Sequence, residues 1–232
     1  PSAAPDGAAR RRVCARRGGA DQFVNLGDSL SGPLLPLETA QYLMAQKDWV
    51  HLAGNHERQI LNLHARSSAV DVFAHTRLSR TELDWIAGLP HVHQLNADVL
   101  LCHGTPTSDV TCLLENADQA ASAADIAARL GGVEASLVLC GHTHVPRSVL
   151  SGATRIVNPG SVGHPAYSDD HPYPHAIQSG SPDARYAIVE QHQGAWVATL
   201  ITVPYGYQAM AALARQQQRL DWERALLTGY TL

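Results

Sequence analysis

Four short apolar runs end abruptly in glycine, or in a polar residue followed by glycine. They are Phe23-Val24-Asn25-Leu26-Gly27-Asp28, Trp49-Val50-His51-Leu52-Ala53-Gly54-Asn55-His56, Val99-Leu100-Leu101-Cys102-His103-Gly104 and Leu137-Val138-Leu139-Cys140-Gly141-His142-Thr143-His144. Each run is short, bounded and partly β-branched, which predicts a buried strand. Between them lie helical patterns. Residues 36–47 carry Pro36 at the start, where a missing N–H costs nothing. Residues 79–88 open with Ser79 and carry Glu82 three positions on, a capping-box pattern. Residues 117–130 are alanine-rich and stop at Gly131-Gly132.

Strands alternating with helices predict an α/β domain. In such sheets ligands bind beyond the carboxyl ends of the strands. All four polar endings lie there, so distant segments can converge on one site. After Val145 the pattern changes. Residues 147–150, 154–157, 185–192 and 195–203 read as strands joined by short turns, which predicts antiparallel pairing on a second sheet. Residues 164–183, rich in Pro, Asp, His and Ser, read as a long ordered loop near the site. Residues 208–227 read as one amphipathic terminal helix. No domain boundary is evident, so residues 21–232 are expected to form a single domain. Residues 1–20 have a Pro, Ala, Gly and Arg composition with no strand, and are expected to be poorly ordered.

The chain of 232 residues, 45% hydrophobic and 16% charged, is long enough to bury a core. Its net charge of -4 argues against a general or sequence-specific nucleic-acid binder and against a membrane-surface binder, despite the basic run Arg10, Arg11, Arg12, Arg16 and Arg17. No apolar run could cross a bilayer, and the start lacks a signal-peptide layout. The cysteines Cys14, Cys102, Cys112 and Cys140 form no paired spacing, which predicts reduced thiols in a cytoplasmic protein. Cys102 and Cys140, within apolar runs, read as small core residues.

Thirteen histidines change the picture only through their placement. Asp28 after Gly27 can bridge two cations or simply cap a turn, and alone the turn reading is favoured. Asn55 offers a neutral hard oxygen ligand. His56 beside it could donate a proton to a leaving group. His103 alone is more often a satisfied strand-end histidine. His142 and His144 are stronger, because side chains two apart in an extended segment share a face and reach one region. Lone His51, His64, His75, His91, His93 and His192 read as ordinary, and His164, His171 and His175 as solvated loop residues. One carboxylate, one amide and three imidazoles suit manganese, iron, zinc or nickel. Two metals about 3.5–4 Å apart are the standard arrangement for displacement at phosphorus.

Gly27-Asp28, Gly54-Asn55-His56-Glu57, His103-Gly104, Gly141-His142-Thr143-His144 and Asn158-Pro159-Gly160-Ser161-Val162 together resemble the ordered blocks of the calcineurin-like metallophosphoesterase superfamily, within it the small bacterial phosphodiesterases of the YfcE type. The resemblance spans residues 21–203. It implies a four-layer α-β-β-α sandwich. It also implies hydrolysis of phosphodiesters or phosphomonoesters by a metal-bound hydroxide, with two divalent cations, manganese first, and a small-molecule phosphoester or nucleotide as substrate. Asp28 would bridge, Asn55, His103 and His142 would complete one cation site, and His144 would serve the other. Asn55 and His56 would contact the phosphate, and His56 would assist the leaving group.

One departure stands out. Family members open with a strand carrying Asp-x-His, and no such motif precedes Asp28 here. The resemblance therefore predicts that the first core strand is missing through truncation or a shifted frame. The second cation would keep only Asp28 and His144, and this chain would be weakly active or inactive. Two alternatives stand beside this reading: a non-catalytic scaffold of the same fold, and a phosphoprotein or dinucleoside-polyphosphate phosphatase. The second ranks lower, because Ser29-Leu30-Ser31-Gly32 follows Asp28 where protein phosphatases carry Asp-Arg-Gly.

Overall fold

The computed structural model describes residues 19–117, 119–170 and 174–231. Most of the segment expected to be poorly ordered, with its arginine run and Cys14, lies outside the described residues, as does His171.

The first half alternates strands and helices as the pattern predicts. β1 (Phe23–Asn25) leads through α1 (Pro36–Met44) to β2 (Trp49–His51), which pairs with it in parallel. α2 (Asn55–Leu61) follows directly, then α3 (Ala69–Arg77) and α4 (Arg80–Ala87). Pro36 begins α1. At the start of α4, the Ser79 N–H donates to Glu82 Oε2 at 2.9 Å, the reciprocal half of a capping box. α3 has no counterpart in the sequence reading. Ser68 starts it, accepting from the Asp71 N–H at 3.2 Å.

β3 (Val92–Asn96) turns back on β4 (Val99–Cys102). The small ribbon of β5 (Glu115–Asn116) and β6 (Gln119–Ala120) precedes α5 (Ala123–Leu130). The expected helix over 117–130 is therefore shorter. Ser122 accepts from the Asp125 N–H at 3.1 Å and fixes the helix start, while Ala117, at φ 48°, serves the ribbon turn. A side-chain cap outweighs alanine's propensity here.

β7 (Leu137–Leu139), β8 (Arg147–Ser151) and β9 (Thr154–Asn158) complete a mixed five-stranded sheet in the order β3-β4-β7-β9-β8. This corrects the second-sheet expectation for residues 147–157. β9 pairs in parallel with β7, so the change of character near Val145 is not a sheet boundary. Residues 164–183 are not a plain loop, because β10 (Ala166–Asp169) and β11 (His175–Gln178) pair as an antiparallel ribbon within them. β12 (Ala184–His192) and β13 (Ala195–Val203) form a long hairpin. The tail is two helices, α6 (Gln208–Gln216) and α7 (Leu220–Thr228), parted at Gln218, φ 59°. Among the described residues no helix is long and apolar enough to cross a membrane.

Alternation along the central strands divides the core. Leu100, Cys102, Val138, Cys140 and Ile156 face α5. Val99, Leu101, Leu137 and Val157 face the opposite way, onto Val24 and Val50 of β1 and β2 and Ala187 and Val189 of β12. The unbroken apolar strings are thus strands buried on both faces. A further cluster, with Leu30, Ala40, Ile60, Ala74 and Ile86, packs α1 to α4 together. β1, β2, β4 and β7 all end at the same edge of the molecule, and the polar endings meet there.

Ile156 is fully buried at the centre of this sheet. We expect Ile156→Ala to lower unfolding free energy by roughly 2–5 kcal/mol in urea titrations, and Ser122→Ala by about 1 kcal/mol. Equal effects would contradict this placement of the core.

Candidate metal centre

The site begins with two loops in main-chain contact. A Cβ on Gly27, φ +96°, would lie 2.4 Å from the Gly54 nitrogen. A Cβ on Gly54 would lie 2.2 Å from Asp28 Oδ1 and 2.7 Å from His103 Cε1. Glycine before Asn55 is therefore a packing requirement, because any side chain would occupy the space of the Asp28 carboxylate.

Glu57 locks the loops. Its buried carboxylate accepts from the N–H groups of Asp28 at 2.7 Å, Ser29 at 2.8 Å and Gly54 at 2.8 Å. It reaches them because it sits at the third position of α2, where a carboxylate folds back on the helix start. The glutamate three residues after Gly54 was a legible signal for this role, which the sequence reading did not draw.

Asp28 then faces inward. Its Oδ1 accepts from the His56 N–H at 2.9 Å, and its Oδ2 lies 2.9 Å from His103 Nε2. The Asn55 oxygen approaches the same His103 nitrogen at 3.2 Å. His103 Nδ1 lies 2.6 Å from the Leu26 carbonyl, which can only accept, so that nitrogen carries a hydrogen. Nε2 therefore faces two oxygen acceptors at once. His142 packs edge-on against His103, ring centroids 5.3 Å apart, and its buried Nδ1 has no hydrogen-bond partner. Ligand atoms of Asp28, His103 and His142 all lie within 4.8 Å of one another and could hold a metal ion.

His144 stands outside that group of three. Its Nδ1 lies 2.9 Å from the His164 carbonyl, so the hydrogen belongs there and Nε2 keeps its lone pair. The expected reason for pairing His142 with His144 is corrected. They do not share a strand face, because both lie in the left-handed region, at φ 67° and 60°, in a loop after β7. Asp28, at φ 53°, is held in the same region.

His56 occupies the rim. Its Nδ1 lies 2.8 Å from Asp71 Oδ1, and the buried Asp71 also accepts from the Ser31 hydroxyl at 2.8 Å and from Ser68. Asp71 and its supports were missed in the sequence, since nothing there links α3 to a motif fifteen residues earlier. His164 was expected in solvent. It instead stacks on Trp222 at 3.8 Å between centroids.

Charge follows geometry. Burial alone would raise the Asp28 pKa, but His103 and His56 beside it hold it far below the carboxylate range. Burial would lower His56, yet Asp28 and Asp71 push it up to about 9. His103 is also raised against its burial, chiefly by Asp28. Burial and the charge of His103 depress His142 to about 4, and burial depresses His144. The donor set thus contains an anion, an amide oxygen and two neutral imidazoles. At its centre a proton on His103 Nε2 does the work of a cation. The orphaned His142 nitrogen and the converging acceptors fit a divalent metal of the transition series.

Residues 6–178 match the calcineurin-like phosphoesterase superfamily domain. No curated protein matches the chain significantly. Among solved structures, a metallophosphoesterase from Sphaerobacter thermophilus is similar at 21% identity and TM-score 0.68, over 90% of this chain and 89% of that one. A hypothetical protein from Pyrococcus horikoshii is similar at 16% identity and TM-score 0.73, over 99% of this chain and 94% of that one. At these identities the two structures speak for the fold.

Two outcomes follow from the geometry. Gly54→Ala is expected to displace Asp28 and reduce affinity for Mn2+ on the order of 100-fold, as read by isothermal titration. An unchanged affinity would contradict the contact. In metal-free protein, His56 contributes stability below pH 6.5 that is lost as pH rises through about 9. His142 contributes stability above pH 6.5 that is lost as pH falls through about 4. The melting midpoint in chelator is therefore expected to peak near pH 6.5 and to fall on both sides.

Proposed function

The chain belongs to the calcineurin-like phosphoesterase superfamily, and on that footing we propose that it hydrolyses small-molecule phosphoesters, including nucleotides, with the cluster at Asp28 as its metal centre. The observation that carries this reading is the convergence of Asp28 Oδ2 and Asn55 Oδ1 on His103 Nε2 beside the orphaned His142 nitrogen. Asp28, Asn55, His103 and His142 would hold one divalent cation, manganese first, with iron, zinc or nickel compatible with the same donors. His144, with Asp28, would serve a second. A cation bound there would polarise the phosphoryl oxygen and lower the pKa of water.

The protein's own groups do the rest. His56 has Nδ1 tied to Asp71, which leaves Nε2 as the nitrogen that can give a proton to the departing ester oxygen. Asp71 beside Nδ1 favours the protonated ring that would supply that proton. Asp71 is a positioning residue, since it fixes the ring and does not itself line the cavity that holds the cluster. Asp28, Asn55 and His103 are buried or nearly so, which excludes bulk water from the charges they hold. Among the described residues the second cation would have Asp28 and His144 alone. We accordingly expect one tightly held cation and modest turnover.

The test combines metal analysis with hydrolysis of bis(4-nitrophenyl) phosphate. The full chain should retain about one Mn2+ after gel filtration and lose activity in chelator. His103→Ala and His142→Ala should lose both metal and activity, on the order of 100-fold in kcat/KM. His56→Gln should keep the metal and lose about 100-fold in kcat. Metal retention without turnover would favour a non-catalytic scaffold; neither metal nor turnover would overturn the proposal.

A further inference from the structure

The cavity that holds the cluster continues past His144 along an aromatic wall. Tyr167, on β10, meets the His144 ring edge-on at 5.1 Å between centroids. His164 lies 5.9 Å from Tyr167, tilted by only 30°. Behind it His164 stacks on Trp222 of α7 at 3.8 Å and 7°, so the wall is braced by a buried indole. His175 of β11 closes the far side, 5.9 Å from Tyr167 and at 85° to it. All of these line the same cavity as Asp28, His103 and His142.

The guanidinium groups along this cavity are turned to the protein. Its arginines among the described residues are Arg129, Arg185 and Arg219. Arg219 donates to both oxygens of Asp221, at 2.9 and 2.6 Å. Arg185 is held by the Asp183 carbonyl and the Ser181 hydroxyl, both at 2.8 Å. Arg129 is held by the Glu115 carbonyl at 3.0 Å and by Asn116. Each guanidinium already donates to protein oxygens, so a second phosphoryl group would have to displace those bonds to be gripped there. A flat, uncharged ring would need no such displacement, and the half-buried Tyr167 is the aromatic side chain it would meet beside His144.

We propose that Tyr167, backed by His164 and Trp222, is a stacking subsite that selects phosphoesters whose ester group is a planar uncharged aromatic ring. The proposal rests on the phosphoester reading above. Both an aryl ester and a nucleobase present that chemistry, and they differ in whether a ribose separates ring from phosphate. Tyr167 is a specificity residue here, apart from the groups that hold metal or move protons. The ring comes from a ribbon in a segment whose sequence, Pro- and Asp-rich, resembles a loop.

The experiment measures binding apart from turnover, in titrations kept short against the modest rate of ester hydrolysis. Mn2+-loaded full chain is titrated calorimetrically with phenyl phosphate, methyl phosphate and a nucleoside 5′-monophosphate. The same three titrations follow for Tyr167→Ala and Tyr167→Phe, with melting midpoints checked for each. Phenyl phosphate is expected to bind on the order of ten-fold tighter than methyl phosphate. Tyr167→Ala should erase that difference and Tyr167→Phe should preserve it, with methyl phosphate affinity the same in all three proteins. A comparable gain for the nucleotide assigns the subsite to a nucleobase, and a gain for phenyl phosphate alone assigns it to an aryl ester. Equal affinities in the unaltered protein would overturn the proposal. So would a loss for methyl phosphate with Tyr167→Ala, or a Phe variant as weak as the Ala one. Selective ring binding with no hydrolysis of any ester would sink the enzymatic reading and leave the subsite standing. Hydrolysis of aryl and methyl diesters with the same KM would do the reverse.

Discussion

Glu57 accepts three main-chain N–H bonds, from Asp28, Ser29 and Gly54, and these join the loop after β1 to the loop after β2. Neither loop has a regular ladder at this point, so their N–H groups would otherwise be buried without acceptors, at a cost of about 1–3 kcal/mol each. One carboxylate satisfies all three. It also sets the direction of Asp28, whose own carboxylate then meets the His56 N–H and His103. Burial and the nearby charge of Asp28 raise the pKa of Glu57, and the main-chain donors oppose that rise. The clamp is therefore a balance between desolvation and hydrogen bonding, struck next to the candidate cation.

The same region stores backbone strain. Asp28, His142 and His144 all take positive φ, a conformation that disfavours residues with a Cβ by about 1–3 kcal/mol. Three such residues in one place, each carrying a candidate ligand, require strong external restraint. The restraints are visible: Glu57 holds the Asp28 loop, the Gly141 N–H donates to the His103 carbonyl at 2.7 Å, and Asn158 donates to the Gly141 carbonyl at 2.7 Å. Strain at a site held in this way lets side chains from four strand ends point at one spot, which regular strand geometry would not allow.

Electrostatics act at the same spot. Asp28 and Asn55 oxygens meet at His103 Nε2, an arrangement of acceptors that is stable only with a positive species between them. In the protein alone that species is a proton, and the raised pKa of His103 reflects it. Replacing a proton by a divalent cation strengthens the same attraction and recruits the idle nitrogen of His142. The acceptor geometry is therefore one that could hold a metal ion.

What the sequence determined by itself was where candidate ligands lie along the chain. Apolar runs buried on both faces must be strands, and glycine followed by Asp, Asn or His at their ends marks where a chain turns sharply and offers ligands. From this Asp28, His103 and His142, which could hold a metal ion, were legible as candidates before any geometry, with Asn55 beside them. The sequence could not tell which strand lies beside which, because β-branched alternation is the same for every neighbour; hence residues 147–157 joined the first sheet's partners β4 and β7 rather than a second sheet. It could not show Asp71 behind His56, since that contact crosses from one helix to another through side chains with no fixed spacing. Nor could it show that His164 stacks on Trp222 beside a β10–β11 ribbon, because that contact joins side chains far apart in the chain. Local pattern is set by each residue's own periodicity and turn preference; pairing and second contacts depend on which surfaces exclude water together, and only the tertiary structure decides that.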